Sequence, residues 1–162
     1  MQQKKGSAIM ISPMTEVKTL EFSNAILSGL NFINNGPQNT VDCNGTIFLE
    51  ETHSGVLHLK RVKLIKLRNM TFENNHNISA LYVDCSNITF QGRLDFINNT
   101  GHRGAAIALI VRQSVNHHCH TLLNLERNTR VRMINNTAKE YGGGIITDDC
   151  KSGESCFFSD QS

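Results

Sequence analysis

The sequence predicts an all-β chain folded as a right-handed parallel β-helix, and three observations predict it. First, an aromatic or large apolar residue, a spacer and two asparagines recur: Phe32-Ile33-Asn34-Asn35, Phe72-Glu73-Asn74-Asn75, Phe96-Ile97-Asn98-Asn99 and Met133-Ile134-Asn135-Asn136. Second, the repeat is longer than the asparagine pair. Val41-Asp42-Cys43-Asn44-Gly45-Thr46-Ile47-Phe48 matches Val83-Asp84-Cys85-Ser86-Asn87-Ile88-Thr89-Phe90, with a partial copy at Ile146-Thr147-Asp148-Asp149-Cys150. Third, β-branched residues dominate the apolar runs, and no long stretch keeps an i, i+3, i+4 stripe, which excludes a helical bundle. A β-sandwich also has short strands and turns, but its strands need not resemble one another. Repeated residues answer first to architecture, because stacked copies bury each other's apolar faces.

Taken in order, residues 1–16 read as a disordered or uncapped N-terminal segment. Lys4 and Lys5 precede Ala8-Ile9-Met10-Ile11, which stops at Ser12-Pro13 and is too short for a signal-peptide core. Residues 17–158 read as β-helix rungs. Three rungs of three short strands each can be laid out: 62–68, 70–75 and 78–84; then 86–90, 94–99 and 104–111; then 122–126, 129–136 and 142–148. The interval from Phe72 to Phe96 suits one turn of a three-sided coil. The longer interval from Phe96 to Met133 requires a loop insertion near 112–120, and that from Phe32 to Phe72 requires another insertion or two compressed coils. Asn69-Met70-Thr71-Phe72 also matches Asn87-Ile88-Thr89-Phe90, which leaves open a register shifted by one strand. Residues 159–162 read as a tail. The chain is expected to be a short, incomplete segment of a longer repeat protein.

The repeated residues suit such a coil. Parallel strands stack about 4.8 Å apart, so inward Ile, Leu, Val and Phe pile into apolar columns. Asparagine tolerates the left-handed backbone of a corner, and stacked amides donate and accept from rung to rung. Asn35, Asn75, Asn99 and Asn136 are therefore predicted as structural corners. Small residues follow each corner: Ser79-Ala80, Gly104-Ala105-Ala106 and Gly142-Gly143-Gly144.

A net charge of +2, no Trp and two Tyr argue against a nucleic-acid partner. The basic run Lys60-Arg61-Val62-Lys63-Leu64-Ile65-Lys66-Leu67-Arg68 reads as a half-buried strand with a solvated face; an anionic-ligand patch is the alternative. Five cysteines leave one without an internal partner. Cys150 and Cys156 can close a small loop. Cys43 and Cys85 share a repeat position, and adjacent rungs would bring them within disulfide range. Six Asn-x-Ser/Thr sequons favour an extracellular or cell-surface chain. Asn44, Asn69, Asn77 and Asn87 are the glycosylation candidates, because an internal ladder of corner pairs would occupy Asn98 and Asn135. The longest apolar run, 105–111, is far too short to be a transmembrane segment.

Phe-x-x-Asn followed by a small-residue run and Ile resembles the repeat of the chlamydial polymorphic outer-membrane autotransporters. Phe32/Asn35, Phe72/Asn75 and Phe96/Asn99 match its first half, with Met133 departing; Gly104-Ala105-Ala106-Ile107 and Gly142-Gly143-Gly144-Ile145 match its second. The sequons, the Asp-Cys positions and the Cys156-Phe157-Phe158 ending resemble the secreted, pectin-lyase-like right-handed β-helix repeat proteins of sponges and other early animals, over roughly residues 17–158. That resemblance implies an extracellular surface or matrix protein and names no ligand.

Hydrolases of the pectin-lyase-like fold carry Asn-Thr-Asp, Asp-Asp and Gly-His-Gly in that order. This chain has Gly101-His102-Arg103-Gly104 before Thr147-Asp148-Asp149, the reverse order, and no Arg-x-Lys follows. Asp148 sits where Asp84 and Asp42 sit in other copies, so the repeat accounts for it. These three are expected as solvated corner carboxylates rather than as a calcium ladder. His117-His118-Cys119-His120 is rich in metal ligands, but four ligands within four residues cannot all converge on one ion. No catalytic residue, metal or cofactor is predicted. The expected function is non-catalytic: a repetitive lateral face for adhesion, matrix or surface recognition, taking an extracellular protein or carbohydrate ligand through shape and avidity. A polysaccharide lyase or hydrolase of the same fold and a bacterial autotransporter passenger are the alternatives.

Overall fold

Runs that alternate apolar with polar residues and break at Asn or Gly form strands that bend at the break. The computed structural model describes residues 9–11, 20–36, 40–41, 47–48, 55–110, 113–114, 117–118 and 121–148. Its first strands are β1 (Ile9–Ile11), β2 (Leu20–Ser28), β3 (Asn31–Ile33), β4 (Thr40–Val41), β5 (Ile47–Phe48) and β6 (Gly55–Lys60). Next come β7 (Val62–Glu73), β8 (Ser79–Asp84), β9 (Asn87–Ile97), β10 (Thr100–Arg103) and β11 (Ile107–Ile110). The last are β12 (Gln113–Ser114), β13 (His117–His118), β14 (Leu122–Leu125), β15 (Arg130–Ile134), β16 (Thr137–Tyr141) and β17 (Ile145–Asp148). Among the described residues there is no helix, and the chain is all-β with parallel sheets.

One sheet runs β1-β6-β8-β11-β17, every neighbour parallel. A second places β2 and β3 on β7, β7 on β9, and both β14 and β15 on β9, again all parallel. β10 pairs with β16, also parallel. Among the described residues, only the two-residue pairs β4–β5 and β12–β13 are antiparallel. The second of these lies inside the insertion expected near 112–120. Ile9–Ile11 pairs with β6, so the segment expected to be disordered or uncapped contributes an edge strand. Its short apolar run finds a partner in Leu57–Leu59.

The register question is resolved. Phe32 faces Phe72, Phe72 faces Phe96, and Phe96 faces Met133. Leu57 faces Leu81, Leu81 faces Ile107, and Ile107 faces Ile145. The expected strands 62–68 and 70–75 are one strand, β7, and 86–90 and 94–99 are joined in β9. They join because Asn69 and Gly92 take positive φ, 49° and 72°, and turn the chain without ending its pairing. Gly29 and Asn128 hold the same conformation at the same bend. Gly92 is required there twice over: a Cβ would also meet Asn69 Oδ1 at 2.3 Å.

The core lies between the two large sheets. Phe72, Phe90 and Phe96 are fully buried beside Leu57, Leu59, Leu67, Leu81, Ile88 and Ile107. Phe32, Phe72 and Phe96 stack with centroids 5.0 and 4.9 Å apart, a geometry worth about 0.5–1.5 kcal/mol per pair beyond area burial. β8 and β11 are buried on both faces. Tyr82, Ala108 and Ile110 form a separate small cluster there, with His58 edge-on to Tyr82 at 4.7 Å.

Candidate interaction surface

The asparagine pair divides its labour. The first member takes the left-handed backbone: Asn34, Asn74, Asn98 and Asn135 have φ of 57°, 53°, 51° and 51°. The second builds a ladder. Asn35 Nδ2 donates to Asn75 Oδ1 at 3.0 Å, Asn75 Nδ2 to Asn99 Oδ1 at 2.7 Å, and Asn99 Nδ2 to Asn136 Oδ1 at 2.9 Å. Each of these oxygens also accepts the preceding asparagine's backbone N–H. The remaining Nδ2 hydrogens of Asn75, Asn99 and Asn136 go to the carbonyls of Phe32, Phe72 and Phe96. Asn75 and Asn99 are wholly buried, and each amide accepts twice and donates twice, so burial strands no polar atom.

This division redraws the map of sequons. Asn98 and Asn135 are exposed and stand outside the ladder, so the reason for setting them aside fails. Asn77 is exposed. Asn69 is exposed, but its Oδ1 accepts the Arg93 N–H and packs over Gly92. Asn87 is half-buried, and its Oδ1 accepts from Asn124. Asn44 lies outside the described residues.

Asp84 and Asp148 do not stack on one another. In register, Lys60 faces Asp84, Asp84 faces Ile110, and Ile110 faces Asp148. Ile110 separates the two aspartates, which removes the geometry of a calcium ladder. Asp84 is only 2% exposed and is not a solvated carboxylate. Arg61 follows Lys60 at the slot beside Cys85. Cys85 is disulfide-bonded; Cys43, Cys119, Cys150 and Cys156 lie outside the described residues. Among the described residues, no group of three or more His, Cys, Asp or Glu could hold a metal ion. The side chains of His117, His118 and His120 are likewise outside the description.

The open face belongs to the second sheet. Its outward positions run in rows across the units, Ile26-Lys66-Thr89-Asn124 and Asn31-Thr71-Asp95-Arg132 among them. Asp95 accepts from Arg93 Nε at 2.8 Å and from Arg132 Nε at 3.0 Å. Lys66 pairs with Glu126. The basic run of β7 does not alternate strictly: Lys63 and Leu64 are both exposed, where Leu64 takes a φ of 61°.

A second exposed cluster sits on β10 and β16. Arg103 Nε donates to Glu140 at 2.7 Å, and its guanidinium lies 5.7 Å from the Tyr141 ring centroid. His102 Nδ1 is 3.4 Å from Glu140, without hydrogen-bond geometry. The Arg103 hydrogen bond holds the Glu140 carboxyl below its ordinary range; desolvation opposes it, and the charges of His102 and Arg103 add to the lowering. Neither cluster was visible in the sequence, because each joins residues from different units. No protein-family model, curated protein or solved structure matches the chain.

Proposed function

We propose that this chain is a right-handed parallel β-helix segment of pectin-lyase-like form that serves as a non-catalytic extracellular recognition surface. The observation that carries the reading is the contrast between inward and outward rows of one sheet. The inward row Phe32-Phe72-Phe96-Met133 repeats one chemistry, whereas the outward row Asn31-Thr71-Asp95-Arg132 changes at every step. A scaffold that repeats inside and varies outside suits recognition by an extended surface, where affinity accumulates over successive units. The exposed sequon asparagines Asn77, Asn98 and Asn135 support an extracellular setting.

The test is incubation of the chain with pectic and glycosaminoglycan polymers, following reducing-end release and retention on the immobilised polymer. Retention without release is expected. Release of reducing ends would replace the reading with that of a hydrolase or lyase on this fold.

A further inference from the structure

The bend in the second sheet carries a line of exposed arginines. Arg68 precedes the bend residue Asn69, Arg93 follows Gly92, and Arg127 and Arg130 flank Asn128; all four arginines are exposed. Arg93 and Arg130 are register partners, so two guanidinium side chains start from adjacent strands about 4.8 Å apart. Like charges placed opposite one another destabilise a sheet. The local acids do not neutralise the line: Asp95 is shared by Arg93 and Arg132, and Glu126 is taken by Lys66. Among the described residues, Arg68, Arg127 and Arg130 have no acidic partner.

From this line we infer that the bend is a binding site for a sulfated polysaccharide, the ligand class of the recognition surface proposed above, on which the inference rests. Guanidinium is the suited group, since its planar fork of donors pairs two oxygens of one oxyanion and stays charged at any physiological pH. A line of such groups at strand spacing fits a chain with anions along its length. A nucleic acid fits less well, because base stacking needs exposed aromatic rings. Phe32, Phe72, Phe90, Phe96 and Tyr82 are buried. The exposed Tyr141 is on β16, outside this sheet.

The experiment measures binding of the whole chain to a heparin-type sulfated polymer, its desulfated counterpart and a single-stranded oligonucleotide, at two salt concentrations. It compares wild type, the triple variant Arg68→Gln/Arg127→Gln/Arg130→Gln, and the charge control Lys139→Gln, whose exposed site is on β16. Wild type should bind the sulfated polymer in a salt-sensitive way. The triple variant should weaken binding about tenfold, with a urea midpoint no lower than that of wild type, and the control by less than about twofold. Equal losses in the triple variant and the control would overturn the site. Equal affinity for the desulfated polymer, tighter binding to the oligonucleotide, or no binding by wild type would each overturn the ligand class. Release of reducing ends from a bound polymer would overturn the non-catalytic reading while leaving the arginine site standing.

Discussion

Replacing Asn99 tests the ladder most directly, because its amide is fully buried and fully used. Its oxygen accepts from the Asn75 backbone N–H at 3.1 Å and from Asn75 Nδ2 at 2.7 Å. Its nitrogen donates to the Phe72 carbonyl at 3.0 Å and to Asn136 Oδ1 at 2.9 Å. Asn99→Ala strands both Asn75 donors where water does not reach, each at about 1–3 kcal/mol, and takes a partner from Phe72. The sum is about 3–6 kcal/mol, a large part of the stability of an ordinary domain. Asn98→Ala, one residue away but exposed, forfeits only asparagine's tolerance of positive φ, about 1 kcal/mol. Asn99→Asp separates donation from packing. It keeps the volume and the acceptor, but its second oxygen faces two acceptors, which raises the folded pKa of the introduced carboxyl above the unfolded value near 3.9. The folded state then binds the proton more tightly. The deficit against wild type is smallest below the unfolded pKa and widens as pH rises through the folded one. Urea unfolding followed by far-UV circular dichroism, at neutral and acid pH, reads both effects. Equal midpoints for Asn99→Ala and Asn98→Ala would refute the ladder as a source of stability. An Asn99→Asp deficit that does not change with pH would refute the assigned direction of donation.

Other substitutions probe other layers of the same construction. Phe72→Ala removes the middle ring of the stack and should cost about 3–5 kcal/mol in urea unfolding. Gly92→Ala should cost about 1–2 kcal/mol from φ alone, and Asn69→Ala in the same chain should recover none of that part while relieving the clash with Oδ1. The depressed Glu140 carboxyl contributes stability that is present above its unfolded pKa and lost as pH falls through the lower folded value; carbon-detected NMR titration should show that value rising in Arg103→Gln. When the chain passes through a eukaryotic secretory pathway, glycopeptide mass spectrometry should find glycan on Asn77, Asn98 and Asn135. Absence of glycan from Asn98 and Asn135 while Asn77 carries it would contradict their place outside the ladder.

The sequence made the Phe and Asn columns legible because both depend on stacking like on like. A ring packs best on a ring and an amide best on an amide, so the same letter must recur. The bend column is illegible for the converse reason. Gly29, Asn69, Gly92 and Asn128 meet one backbone demand, positive φ, and two residue types satisfy it. The Asp-Cys likeness carries a third kind of information: it marks how a strand ends and the next begins, not which strand lies alongside, and the register neighbour of Asp84 on β6 is Lys60. The two asparagines of each pair look interchangeable in sequence, and only their φ values and exposure separate the one that turns the chain from the one that joins the units.

That separation bears on function through what the ladder leaves free. Each step points the same way, donor to acceptor from Asn35 through Asn75 and Asn99 to Asn136, so successive amide dipoles align and polarise one another. The corner's inward polar demands are met within the ladder, and the inward apolar demands are met by the aromatic and aliphatic columns. Neither set of contacts draws on the outward side chains of the second sheet. An outward row is therefore under little constraint from the fold, and a row that opposes folding calls for another cause. Arg93 beside Arg130 is such a row: two like charges at strand spacing, with the one nearby carboxylate shared between Arg93 and Arg132. If that arrangement were indifferent, Arg130→Gln would leave stability unchanged. If it is held against stability for the sake of an anion, Arg130→Gln should raise the urea midpoint slightly at low salt, lose that gain at high salt, and weaken binding to the sulfated polymer.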